Sequence, residues 1–234
     1  MKQSFLVFLF FIPVLTSFSQ DCANHTQFKQ GTAITTTSYN EKDKVQGSTK
    51  ATCISVSTNG ESIISNMKAE SFDKNGKEQA VTDFTMTCNK GVILMDMKMS
   101  VPQQSASQYK NMEMKIDGEN LEFPTSLSVG QKLKDGKATM TFTSAGMPMT
   151  IVTEINTKDR KVEAKENITT PAGIYECYKI SSDIESTSNI MGKSFTVNMK
   201  SVQWYNAGVG AVRSEDYDKD GKMSGYSLIT EIKK

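Results

Sequence analysis

Apolar and polar residues alternate along most of the chain with a period of two. Phe84, Met86 and Cys88 share one side of such a stretch, and Ile93 and Met95 continue the pattern after a short polar break. A period of two is typical of β-strands that bury one face and expose the other to water. The same pattern recurs at Met112, Met114 and Ile116; at Met149, Ile151 and Ile155; and at Phe195, Val197 and Met199. The alternation predicts a large antiparallel sheet with one apolar face.

Turn-forming residue pairs separate these stretches. Asn59-Gly60, Asn75-Gly76 and Asp220-Gly221 favour tight hairpin turns, because the central positions of such turns need positive φ angles. A sheet with one apolar face must bury that face by curling, closing or wrapping a helix. We therefore predict an all-β fold: one large curled antiparallel sheet of hairpins, either a half-barrel or an open barrel. A Gln- and Ser-rich segment, Pro102 to Lys110, is predicted to be a loop or one short helix packed on the sheet.

The N-terminus has the pattern of an export signal. One positive charge precedes an apolar run over residues 5–15, and small residues follow it. Such a run is too short to span a bilayer. We predict a cleavable secretory signal peptide over residues 1–19, cut after Ser19 or Gln20. A single β-domain without a membrane span would then occupy residues 20–234, and the protein would be periplasmic or secreted.

The near-zero net charge argues against several classes of function. The chain has 27 Lys and Arg residues and 26 Asp and Glu residues, and removal of the signal takes Lys2 away and leaves 26 of each sign. Nucleic-acid binding draws on a clustered basic excess, so we predict no nucleic-acid partner. His25 is the only histidine. Because most general-base and metal chemistry uses imidazole, we predict no enzyme, no catalytic residue, no metal ion and no cofactor.

Four cysteines, Cys22, Cys53, Cys88 and Cys177, are candidates for disulfide bonds in an oxidising compartment. Their spacing is unlike that of zinc ligands. Four cysteines allow three pairings, and the sequence does not choose among them. Cys88 also continues an apolar alternation, so a buried free thiol is an alternative for that residue. Asp21 directly before Cys22 disfavours attachment of a lipid there.

Methionine is frequent, with 14 residues, and it occupies every second position in several predicted strands. Met95, Met97 and Met99 form one such group, and Met112 and Met114 form another. Thioethers bind Cu(I), but the same predicted face carries isoleucines, so a copper site is the weaker interpretation. Methionine fills irregular apolar space without imposing one shape. We interpret these residues as core or as the lining for a lipophilic ligand.

Trp204 and Tyr205 precede the glycines Gly208 and Gly210 near the end of the chain. Glycine in a strand permits a bend or bulge and close approach of the backbone. Trp204 and Tyr205 are therefore expected either to fill the core below that bend or to line a ligand mouth.

Several segments carry a family resemblance. They are Phe123 and Pro124 with Leu127, Val129, Gly130 and Leu133; Thr170 to Ile180; Trp204 to Arg213; and the closing hairpin Tyr217 to Leu228. They resemble an exported bacterial family described as domain of unknown function 3108. The resemblance implies a curled antiparallel sheet, similar in outline to the half-barrels of periplasmic lipoprotein carriers. It implies no reaction and no catalytic residues.

Two hypotheses for function follow. The first is an exported, non-enzymatic protein of the cell envelope that binds a hydrophobic or lipid-like ligand on the concave face of its sheet. The alternative is an envelope scaffold or protein-interaction module with a plain hydrophobic core, whose partner pairs with an edge strand or a loop. The expected partner is accordingly a lipophilic small molecule or an envelope protein.

Overall fold

The antiparallel sheet that the alternation predicts makes up nearly all of the secondary structure of the described residues. The computed structural model describes Cys22 and residues 24–96, 112–144 and 150–234. Within these residues, 13 strands form one antiparallel sheet that curls as a half-barrel. The predicted features that lie outside the described residues are the signal peptide, the segment from Pro102 to Lys110, Met97 and Met99.

The strands follow a three-residue 3-10 turn, Thr26–Phe28. They are β1 (Ala33–Asn40), β2 (Val45–Asn59), β3 (Ser62–Asp73), β4 (Glu78–Asn89), β5 (Val92–Met95), β6 (Met112–Gly118), β7 (Leu121–Pro124), β8 (Gly136–Ser144), β9 (Thr150–Thr170), β10 (Gly173–Ile190), β11 (Lys193–Asn206), β12 (Gly210–Tyr217) and β13 (Met223–Lys233). Tight turns join most neighbours. In the β4–β5 turn, Lys90 and Gly91 have φ angles of 48° and 75°, the two positive values that a short hairpin needs.

The strand order is β6-β8-β9-β10-β11-β12-β13-β1-β2-β3-β4-β5-β7. It departs from a simple succession of hairpins in two ways. The first strand pairs with the last, β1 with β13. The edge strands β6 and β7 lie at opposite ends of the order, yet they are joined by just two residues, Glu119 and Asn120. The chain therefore passes directly from one edge of the sheet to the other, and this crossing holds the sheet in its curl.

The buried side chain of Arg160 on β9 also stabilises the region around the β7 edge. Its guanidinium donates to the carbonyl oxygens of Lys134 at 2.6 Å and of Glu122 at 3.1 Å, and it lies 4.9 Å from the centre of the Phe123 ring. Burial lowers the pKa of Arg160, while the charges of Asp135 and Glu122 act in the opposite direction. A buried cation needs such partners, so Arg160 ties β9 to the β7 edge.

The two faces of the sheet differ as the alternation predicts. Phe84, Met86 and Cys88 on β4 are buried on the concave face, whereas Asp83 and Thr85 between them are exposed on the outer face. The beginning of β11, next to the β10–β11 turn, is an exception to this rule. Phe195 and Val197 alternate correctly, yet each is 55% exposed, because both faces of this hairpin end are open to solvent.

Candidate functional site

The concave face contains an open cavity of about 880 Å³ between β1–β3 on one side and β11–β13 on the other. We call this cavity the trough. Strand register places its lining in four rows. The first row is Ile34 and Ala51; the second is Ile229, Thr36, Thr49 and Ser71; the third is Gln203, Ser214, Ser227, Ser38 and Gly47; and the fourth is Asp216, Gly225 and Asn40. The lining thus changes from apolar through hydroxyl and amide groups to a carboxylate.

Beyond the apolar row the concave face is filled. We call this region the closed end; its sheet residues are Cys53, Met67, Phe84, Met86 and Cys88. The N-terminal segment covers it, since Phe28 packs into the same cluster and Cys22 forms a disulfide with Cys88. We call this N-terminal segment the cover. Ser65 donates a hydrogen bond of 2.6 Å to the carbonyl oxygen of Gln27 and so holds the cover against the sheet.

His25 belongs to this cover, a position that sequence reasoning did not anticipate. It is 1% exposed, and its Nδ1 accepts a hydrogen bond from the backbone amide of Gln27 at 3.3 Å. Burial, assisted by the charge of Lys29, lowers the pKa of His25 to about 4. The imidazole is therefore neutral at pH 7. Gly210 lies next to this imidazole. It has φ +99°, and a Cβ at this position would lie 3.8 Å from the His25 Nε2.

Of the four candidate cysteines, two form a disulfide and two do not. Cys22 is bonded to Cys88, so the free-thiol alternative for Cys88 is also wrong, and the Cys22 sulfur is not available for a lipid thioether. Cys53 and Cys177 are free and buried. They cannot pair because Cys53 packs in the closed end and Cys177 in a separate cluster that includes Trp204. Burial raises the pKa of Cys177 to about 11, so it is an inert thiol.

The predicted methionine face is divided. Met95 packs against the closed end and also borders the trough. Met112 and Met114 lie on the edge strand β6, where their register partners are Ser144 and Phe142 of β8. They are strands away from the trough, so the described methionines do not pave one continuous surface.

Trp204 and Tyr205 point to different clusters, and neither borders the trough. Tyr205 is 2% exposed and stacks on Phe123 with ring centres 5.1 Å apart. The Trp204 indole donates to a carboxylate oxygen of Glu166 at 2.5 Å, and the guanidinium of Arg213 lies 5.7 Å from its ring centre. Both aromatic residues thus serve the packing of the sheet.

Asp216 is the trough residue that sequence reasoning missed. Its carboxyl group is reached by solvent but stands in the concavity with protein around it. Desolvation raises the pKa of Asp216, and a hydrogen bond from Ser201 partly opposes this effect. Its place in an acidic turn sequence gave no sign of this, because the neighbouring Asp218 serves the β12–β13 turn by accepting from the backbone amides of Asp220 and Lys222.

A family model described as DUF3108-like matches residues 29–229. The chain belongs to the DUF3108-like family. The match includes all four rows of the trough and most of the closed end, so this architecture lies within the DUF3108-like region. No curated protein matches the chain in sequence. In the described ranges, no helix has both the length and the apolar character needed to span a membrane.

Two solved structures share the fold of this DUF3108-like protein. A candidate lipoprotein from Parabacteroides distasonis ATCC 8503 is 20% identical, with a TM-score of 0.75 over 90% of this chain and 98% of its own. A candidate exported protein from Bacteroides fragilis NCTC 9343, described as having a YmcC-like fold, is 21% identical, with a TM-score of 0.72 over 90% of this chain and 99% of its own. These likenesses establish the fold as YmcC-like.

Proposed function

We propose that this protein is exported and binds an elongated, amphipathic, lipid-like molecule in the trough without catalysing a reaction on it. The observation that carries the proposal is the graded lining. An apolar chain would lie against Ile34, Ala51 and Ile229, and a polar head would lie toward Ser38 and Asp216 at the rim. Molecules with one apolar and one polar end match a surface of this kind.

The size of the trough supports the same proposal. Its volume of about 880 Å³ lies in the range of small-molecule sites. From Ile34 to Asn40, β1 extends about 20 Å at the usual rise of a strand. Nine of the 14 residues in the four rows are glycine, alanine, serine or threonine. Such small groups leave space that the larger residues of the closed end would fill.

The proposal includes no catalytic step because the single histidine of the chain does not border the trough. The imidazole of His25 is buried in the cover of the closed end and neutral, with its Nδ1 used by the Gln27 amide. Export is supported by the predicted signal and by the Cys22–Cys88 disulfide, since structural disulfides persist in oxidising compartments.

Extraction of the protein from its native compartment tests the proposal. The chain is purified without detergent, extracted with organic solvent, and the extract is analysed by mass spectrometry. We expect one class of amphipathic molecule in a stoichiometric amount. An empty protein that no lipid or detergent stabilises against heat would overturn the proposal.

A pair of variants ties the ligand to the trough. Ser227→Leu places an isobutyl group in the third row, and Thr85→Leu places the same group on the exposed outer face of β4. We expect Ser227→Leu to lose most of the extracted ligand and Thr85→Leu to keep it. Equal retention in both variants would place the ligand elsewhere.

A protein-binding function is the second candidate, and the exposed end of the β10–β11 hairpin favours it. Met191 in the turn is 83% exposed, and Phe195 and Val197, four and six residues further along the chain, are each 55% exposed. Exposed apolar groups in one place are common at protein contacts. A photocrosslinking amino acid at position 195 is expected to form an adduct with an envelope protein in cells, whereas one at position 85 is not.

A further inference from the structure

The charged groups of the trough give information about the polar end of its ligand. Among the described residues that border the trough, three have a charged side chain: Asp73, Arg213 and Asp216. Their availability differs, because a charged group already held by protein partners has little capacity left for a ligand.

The carboxylate of Asp73 is already hydrogen-bonded within the β3–β4 connection. One carboxylate oxygen accepts from the backbone amides of Asn75 at 2.8 Å and Lys77 at 3.0 Å, and the other accepts from the side-chain amide of Gln79 at 3.1 Å. These bonds hold the β3–β4 connection and lower the pKa of Asp73.

Arg213 is also occupied. Its Nε and Nη2 donate to one carboxylate oxygen of Glu215 at 2.8 and 2.7 Å. The guanidinium lies 4.6 Å from the centre of the Tyr226 ring, which stacks in turn on Tyr39. This contact chain keeps the cation on the side of the sheet that carries Trp204.

Asp216 differs from both. Within the described part of the chain, the groups that act on its ionisation are the surrounding protein, which desolvates it, and the Ser201 hydroxyl; no cation of those residues is among them. Its register partner across the strand is Gly225, which presents no side chain in front of the carboxylate. Gly225 cannot be larger, since a Cβ there would lie 2.8 Å from the carbonyl oxygen of Tyr39.

We propose that Asp216 is the binding site for a cationic head group, so that the trough selects amphipathic molecules bearing a primary ammonium over neutral or anionic ones. This inference rests on the proposed binding function. A carboxylate without a protein cation in a partly desolvated site favours a bound cation. Attraction by the whole molecule does not explain such a preference, because the exported chain has equal numbers of positive and negative residues.

Isothermal titration of the exported chain with three probes of equal length tests the assignment. The probes are dodecylammonium, 1-dodecanol and dodecanoate, each below its micellar concentration at pH 7.5. We expect dodecylammonium to bind at least tenfold more tightly than dodecanol, and dodecanoate to bind most weakly.

The variant Asp216→Asn identifies the residue responsible. It is expected to remove the tenfold advantage of dodecylammonium, so that dodecylammonium and dodecanol bind with similar affinity. Asp220→Asn, in the exposed β12–β13 turn, is the matched control and should keep the advantage.

Three results would overturn the assignment: equal affinities for all probes, a preference for dodecanoate, or an advantage for the ammonium that survives in Asp216→Asn. In each case binding of dodecanol would leave the proposed function intact. Failure of every probe to bind would contradict both proposals.

Discussion

The closed end and the trough are two parts of one concave face and share strands β2 and β3, yet only the closed end is packed. In the closed end, Met67 and Phe84 fill the space and the cover with Phe28 completes it. In the trough, Thr49 and Ser71 occupy equivalent inward positions four residues along the strands β2 and β3 that carry Cys53 and Met67. Side-chain volume, not strand geometry, therefore decides where this sheet has a core and where it has a cavity.

Truncation of Phe84 should have the largest effect. Phe84 is 4% exposed in the closed end, and loss of a buried phenyl group leaves a cavity as well as losing apolar burial. We expect Phe84→Ala to reduce the free energy of unfolding by about 3–5 kcal/mol. Urea denaturation followed by fluorescence measures this change. A loss similar to that of a trough serine would contradict the contrast between the two regions.

Removal of the disulfide should have the next largest effect, because it holds the cover on the closed end. Cys22→Ser is expected to reduce the free energy of unfolding by about 2–4 kcal/mol. Reducing agent should destabilise the parent protein similarly and leave Cys22→Ser unchanged. Thiol titration of the unfolded parent should detect two thiols, from Cys53 and Cys177. Four thiols in the oxidised protein would show that the bond is absent.

Acidification should loosen the closed end before it affects the carboxylates. The pKa of folded His25, about 4, lies below the usual histidine pKa of 6.5, so the unfolded chain binds more protons between these values. Stability is therefore complete above pH 6.5 and falls as the pH decreases. We expect a loss of about 2 kcal/mol between pH 7 and pH 5. Because His25 is the only histidine, His25→Gln should abolish this slope; a slope that persists would assign it to other groups.

Truncation in the trough should have the smallest effect on stability. Ser38→Ala and Ser214→Ala remove hydroxyl groups from the third row, where they face the cavity. We expect each to change the free energy of unfolding by less than about 0.5 kcal/mol. Differential scanning calorimetry of the ligand-free protein would measure the changes. A loss comparable to that of Phe84→Ala would mean that the trough is packed in solution.

Much of the fold is readable from the sequence because its signals are local. The alternation around Phe84 and Met86 defines a strand and its buried face, and glycine-containing turns such as the one at Gly91 define hairpins. Both depend on residues close together in the chain. The family resemblance is confirmed by the DUF3108-like match.

The trough is harder to predict from the sequence because it depends on pairing between strands that are far apart in the chain. Ser38 of β1 meets Ser227 of β13 only because strands from distant parts of the chain lie side by side. Alternation also treats an inward serine as it treats an outward one, so it cannot distinguish a cavity wall from a solvated face. The burial of His25 escaped prediction for the same reason, since the cover acquires its order from the sheet that it contacts.

The two-residue connection at Glu119 and Asn120 also has a consequence for the kinetics of ligand exchange. Because it ties the opposite edges of the sheet, the half-barrel cannot hinge open along its length without breaking the β5–β7 or β6–β8 pairing. A ligand bound as proposed would exchange past Asn40 and Asp216 at the rim without any opening of this kind. Its residence time would be governed by the rim and would be largely independent of motion at the sheet edges.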